Sequence, residues 1–128
     1  MGKILLLIAM LYAHIVDDYY HQGILASMKQ KQWWEENAPD ELYKRDYIVA
    51  LIEHAFSWSV AIHIPAIVYM YLTGCTVHPF LFVVLFVGEW LIHAIVDDAK
   101  ANDHTISLVT DQIIHIFQVI GAWVVFIT

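Results

Sequence analysis

His14, Asp17, Asp18 and His21 stand at i, i+3, i+4 and i+7, which sets all four on one stripe of a helix, and Gln22 extends the stripe one turn beyond Asp18. Similar clusters recur three times along the chain. Glu53, His54 and Ser57 share a side; Glu89, His93 and Asp97 repeat at i+4, with Lys100 a further turn on; Asp111 and His115 make another i, i+4 pair beside Gln112. An imidazole and a carboxylate one turn apart can grip a single ion or hydrogen-bond to each other. Neutral imidazoles mixed with carboxylates, without thiolates, form the ligand set of zinc, manganese and iron sites. The candidate metal ligands, for one or two such ions, are therefore His14, Asp18, His54, His93, Asp97, Asp111 and His115. Glu53 and Glu89 are the candidate general acid/base groups, and Lys100 is a candidate catalytic cation that would bind phosphate or carboxylate. Asp17, His21, Gln22 and Gln112 are further polar members of the same surfaces.

These residues sit in an apolar chain. Hydrophobic residues make up 60% of the 128 positions, against about 45–50% in soluble domains, and charged residues only 15%. The mean hydropathy is +0.61. A water-soluble fold of this composition would expose large apolar surfaces, so an integral membrane protein of one domain is expected. The net charge of −7, from 13 acids against 6 bases, supplies no basic footprint for nucleic acid. Cys75 is the sole cysteine, which excludes a disulfide framework and a thiolate cluster within the chain. The opening "MGKILLLIAMLYA" has the outline of a signal peptide, but Leu11 and Ala13 make a poor cleavage site, and the segment is expected to remain as the first helix.

Four apolar segments, about 3–28, 47–72, 79–97 and 105–127, each approach the ~20 residues that cross a bilayer. The predicted fold is thus all-α, a four-helix transmembrane bundle. Between the first two helices, a charge-rich surface loop at about 29–46 carries Trp33 and Trp34 as interfacial aromatics. Gly74 and Pro79 mark a helix stop and start, Asp103 or Thr105 would cap the fourth helix, and Pro65 predicts a kink in the second. Lys29, Lys31, Lys44, Arg45 and Lys100 all fall in or beside loops one and three, which places those loops in the cytoplasm and both termini outside. Because the chain reverses at every loop, Asp18, Glu53, Asp97 and Asp111 all stand toward the cytoplasmic ends of their segments, with His14, His93 and His115 each one turn deeper than its aspartate. Every cluster therefore falls at one level, a polar His/Asp centre in the cytoplasmic half. Five acids inside helices would cost up to ~15 kcal/mol at about 3 kcal/mol each, so partners must offset them.

The pattern His14-x-x-x-Asp18-x-x-x-Gln22, a lysine at 29 or 31, His54, His93-x-x-x-Asp97-x-x-Lys100 and Asp111-Gln112-x-x-His115 resembles a family of small phage and bacterial integral membrane proteins catalogued as domain of unknown function 3307. The resemblance implies a helical membrane fold and a recurring His/Asp/Gln/Lys set, and no activity. The chain is also loosely similar to the membrane-bound metal-dependent hydrolases, by analogy alone.

The chemistry such a centre supports best is metal-dependent hydrolysis of a lipid or lipid-linked phosphate, with membrane lipids as the surrounding partners. The competing reading is a non-enzymatic membrane protein: a proton or ion conduit, or a phage-type interaction factor whose polar core only fixes packing. The apolar outer segments "ILLLIAMLY", "IVYMYL", "FLFVVLFV" and "AWVVFIT" count against a conduit. Carboxylates beside each histidine count against haem. His63, His78 and His104 read as packing, loop or cap residues.

Overall fold

The computed structural model describes residues 2–128, and among them every regular element is helical. Helix α1 (Gly2–Ile15) passes directly into a π-helical stretch (Val16–His21). Two short helices follow, α2 (Leu25–Met28) and α3 (Lys31–Asn37), then a 3-10 turn (Glu41–Tyr43). The long helices α4 (Asp46–Thr73), α5 (Pro79–Ala101) and α6 (Leu108–Ile127) complete the chain. Three helices are long and apolar enough to cross a membrane: α4 with the 3-10 turn before it, α5 and α6.

The expected first span, 3–28, is not one continuous α-helix. It widens to π geometry at Val16 and stops at Gly23, whose φ of 51° lies in the left-handed region where a Cβ is disfavoured. Proline at 65 does not interrupt α4, which runs on to Thr73. Gly74, at φ 70°, ends it, and its N–H closes on the Met70 carbonyl at 3.0 Å. Helix α5 begins with Pro79 in its first turn, as expected. Neither Asp103 nor Thr105 caps α6. Ser107 does, its hydroxyl accepting from the Thr110 N–H at 3.2 Å, so the helix starts three residues later than its apolar pattern suggests.

Helix α1 packs against α4 and α6, and α5 packs against both α4 and α6. Toward the chain termini the interior is apolar, built from Leu6, Met10, Ile62, Ala66, Val119, Ala122 and Phe126 around the indole of Trp58. Toward the α2 and α3 end it turns polar. Large apolar side chains such as Ile4, Ile8, Phe56, Ile67, Val84, Leu91 and Phe117 face outward, a distribution compatible with a membrane environment.

The segment expected as a plain surface loop is structured and clasped to α5. Asn102 accepts from the Lys31 N–H at 2.7 Å and donates to the Lys29 carbonyl at 3.0 Å. The Trp34 indole donates to the Met28 carbonyl at 2.7 Å. These contacts fix α2 over the open end of the long helices and turn the Lys29 side chain inward.

Candidate metal centre

Burial is the first test of the predicted residues. His14, Asp18, His54, His93, Asp97, Asp111 and His115 are all buried, each at most 4% exposed. Six of them come together: Asp18 from the π-helical stretch, His54 from α4, His93 and Asp97 from α5, and Asp111 and His115 from α6. They form two groups whose potential ligand atoms lie within 4.8 Å of one another: Asp18, His54, His93 and Asp97, and then Asp18, Asp111 and His115. Asp18 belongs to both.

Three atoms surround His54 Nε2 at one distance. Asp18 Oδ1, Asp97 Oδ2 and His93 Nε2 each stand 3.3 Å away. A neutral imidazole has one proton and can donate to one of them, and 3.3 Å is long for an N–H···O bond. It is, however, the separation of ligands at the corners of a tetrahedron with bonds of roughly 2.0–2.1 Å, whose edge is about 3.3–3.4 Å. His93 Nε2 to Asp97 Oδ2, at 3.9 Å, is the looser edge.

His115 is oriented by a chain of hydrogen bonds. Gln118 gives its amide N–H to the Glu89 carbonyl at 3.1 Å and to Glu89 Oε2 at 2.6 Å. Because a backbone carbonyl only accepts, the Gln118 oxygen is the atom facing His115 Nδ1 at 2.9 Å, and Nδ1 carries the proton. His115 Nε2 is then left with a lone pair aimed at Asp111 Oδ1, 3.3 Å away, and Asp97 Oδ1, 3.5 Å away. Both His115 Nε2 and Asp111 Oδ1 are buried without a hydrogen-bond partner. A lone pair against two carboxylates calls for a cation between them, either a proton or a metal. The donor set fits a divalent ion.

Two ammonium groups enter the same cluster. Lys29 Nζ lies 2.5 Å from Asp97 Oδ2 with both side chains buried, and Lys100 Nζ lies 2.8 Å from Asp111 Oδ2 and 3.4 Å from Asp97 Oδ1. Among the described residues, no ammonium group pairs with Asp18. Its oxygens take amide N–H groups instead, Oδ1 from Gln22 at 3.0 Å and Oδ2 from Gln112 at 2.7 Å. Gln22 also donates to the Asp18 backbone carbonyl, and Gln112 to Asp111 Oδ2 at 3.0 Å. With the histidines neutral, three carboxylates face two ammoniums, and the uncompensated carboxylate is the one both groups share.

Several predicted members fall elsewhere. Glu53 is exposed on the outer side of α4, beside Trp34 and Asp46 in a shallow hollow of about 210 Å³; adjacent helical residues point about 100° apart, and here His54 turns inward while Glu53 does not. It is not the acid/base group of this centre. Glu89 is buried but reaches the cluster only through Gln118, so it positions His115 and does not touch the ligand atoms. His14 is held beside the cluster, Nδ1 accepting from the Trp58 indole at 2.8 Å, with its ring 6.0 Å from that of His115. Asp17 faces away, bonded to Ser57, and His21 is exposed. His63 lies apart, bonded to the Ser59 carbonyl among Phe82, Phe86 and Phe126. His78 accepts from the Phe80 N–H and caps α5.

Three contributors were not among the expected site residues. Trp58 stacks on His93 at 4.2 Å between ring centroids and closes the apolar side of the site. It stands four residues after His54, a spacing that could have flagged it, as the three-residue step from His115 could have flagged Gln118. Lys29 was named only through the family resemblance, as an alternative to Lys31, and carries no local signal of its own, because the contacts that turn it inward come from Asn102 across the fold.

An open cavity of about 600 Å³ leads from the surface to the cluster, lined among others by Asp18, Gln22, Lys29, Lys100 and Gln112, with Tyr19 and Tyr20 at its sides. A somewhat larger hollow of about 700 Å³ beneath α3 reaches none of the clustered residues, so volume alone does not locate the chemistry. Comparison of the chain with family models, curated proteins and solved structures finds no match.

Proposed function

We propose that the chain is a membrane-embedded, metal-dependent hydrolase of a lipid or lipid-linked phosphate, built as a four-helix transmembrane bundle in which α1 and its π-helical extension serve as the fourth span. The observation that carries the metal is the spacing around His54 Nε2, with three potential ligand atoms at 3.3 Å, the edge of a tetrahedral site. In this reading the ion is zinc, manganese or iron, Asp18 would be a ligand available to either group, and the chain belongs with the small phage and bacterial membrane proteins whose motif it resembles. Loops one and three lie in the cytoplasm of a bacterial cell and both termini outside, by the distribution of lysine and arginine.

A bound divalent ion supplies a Lewis acid for a phosphoryl oxygen and lowers the pKa of water. The chain's own residues do the rest. Gln22 and Gln112 hold the Asp18 carboxylate, and Gln118 holds the His115 tautomer. Lys100, 22% exposed at the inner end of the 600 Å³ cavity, meets the charge that develops on a transferred phosphoryl group. Trp58 and the apolar core beyond it exclude water from the far side. The test is release of phosphate from a lipid-linked phosphate in vesicles carrying the purified protein, with zinc, manganese or iron supplied. Lys100→Met should keep its metal and lose turnover, whereas Asp97→Asn should lose both.

A second reading has its own support. Lys29 and Lys100 already partner Asp97 and Asp111, which is how a purely structural polar core would be balanced. A folded wild-type protein that takes up no metal would favour it.

A further inference from the structure

A second polar feature lies outside the metal cluster, on the flank where α1 meets α4. Asp17 and Asp18 are neighbours in sequence, and both are buried. Within the π-helical stretch they diverge: Asp18 enters the interior, and Asp17 turns to α4, where the Ser57 hydroxyl donates to Oδ1 at 2.8 Å. The ring nitrogen Nδ1 of His21 is 4.0 Å from the same oxygen. Oδ2 has no partner, although the residue is only 3% exposed. An unpaired carboxylate oxygen at that burial is costly unless a donor reaches it.

Asp17 closes one end of a groove of about 530 Å³, within the roughly 300–1,000 Å³ of small-molecule sites. From Asp17, Ser57 and His21 the groove continues along Ala13 and Ala9 on one wall and Ala61 and Pro65 on the other. From His21 back to Ala9 the wall runs 12 residues, somewhat under the ~18 Å that 1.5 Å per residue would give, because Val16–His21 is π-helical. One end is acidic and bears the exposed His21; the remainder is mostly apolar, with Ala9, Ala13 and Ala61 set among the larger Tyr12, Val60 and Ile64. That is the gradient of an amphiphile with a donor-bearing head and a hydrocarbon chain, lying along the helices.

We propose that this groove binds one molecule of a phospholipid with a primary ammonium head, its ammonium on Asp17 Oδ2 and one acyl chain along Ala13, Ala61 and Ala9. Charge complementarity selects the head: a primary ammonium has N–H donors for the free carboxylate oxygen, a quaternary ammonium has none, and an anionic head is repelled. His21 at the rim is placed to meet the phosphate. The site is separate from the metal centre and does not rest on hydrolase activity.

Native mass spectrometry of the detergent-purified protein, titrated in turn with phosphatidylethanolamine, phosphatidylcholine and phosphatidylglycerol, tests the proposal. Wild type should prefer the ethanolamine lipid by about tenfold or more, the scale of one charge-assisted hydrogen bond. Asp17→Asn should lose that preference, and Ala13→Leu, which fills the groove, should weaken binding of the same lipid; both should keep wild-type helicity and metal content. Equal affinity for the three lipids in wild type overturns the proposal, as does an Ala13→Leu protein that folds and still prefers ethanolamine. A dimer that Asp17→Asn dissociates, with no lipid preference in wild type, would assign the groove to a second copy and overturn it also.

Discussion

At the level of single residues the centre depends on carboxylates that stay ionised and imidazoles that present a lone pair. Lys29 is the sharpest test of how that charge is balanced. Breaking a buried ion pair by removing one partner costs about 3–5 kcal/mol, so Lys29→Met should unfold at clearly lower denaturant than wild type in metal-free detergent solution. Zinc should recover part of the loss, because the ion neutralises the Asp97 carboxylate that the lysine leaves behind. Glu53→Gln is the opposite case. Its carboxylate is exposed and touches no clustered atom, so its stability should stay within about 0.5 kcal/mol of wild type, and metal content and phosphate release should be unchanged. The spacing of residues identified the acids and imidazoles that converge, since a stripe at i, i+4 is geometry that local sequence encodes. It could not separate Glu53 from His54, one position apart, because which of two neighbours faces inward depends on where the other helices pack. Spacing was equally silent on Lys29, which only the resemblance offered, as an alternative to Lys31; it is placed by a hydrogen bond from Asn102, 73 residues away in sequence.

The helices themselves follow elementary rules with two departures. Apolar runs, Gly74 and Pro79 marked α4 and α5 closely, whereas the first segment breaks at Gly23 after a π-helical stretch. Period alone does not distinguish a wide turn from an ordinary one over six residues, so neither the stretch nor the divergence of Asp17 from Asp18 was legible beforehand. The fourth predicted span likewise began too early, because apolar Ile106 precedes the Ser107 cap. Caps lie outside the metal cluster, and their loss should be purely structural. Ser107→Ala should lower stability by about 1 kcal/mol, and Gly74→Ala by roughly 1–2 kcal/mol, since a φ of 70° disfavours a Cβ. Thermal melts should record both losses while metal content stays at the wild-type value.

At the scale of the whole molecule, one end of the interior is apolar and the other polar, and the polar end opens to the surface through the cavity beside Lys100. Sidedness decides which compartment that opening faces. In a Cys75→Ser background, a cysteine introduced as Glu36→Cys should react with a membrane-impermeant thiol reagent only from the cytoplasm, and a cysteine appended after Thr128 only from outside; the reverse labelling would turn the cavity to the other compartment. The central claim is that Asp18, His54, His93, Asp97, Asp111 and His115 hold a metal, and elemental analysis tests it most directly. Detergent-purified wild type, equilibrated with zinc and freed of excess, should retain one or two ions per chain, Asp97→Asn should retain almost none while remaining helical, and Glu53→Gln should match wild type. A folded wild-type protein that retains no zinc, manganese or iron, or an Asp97→Asn variant that retains as much as wild type, would contradict the account.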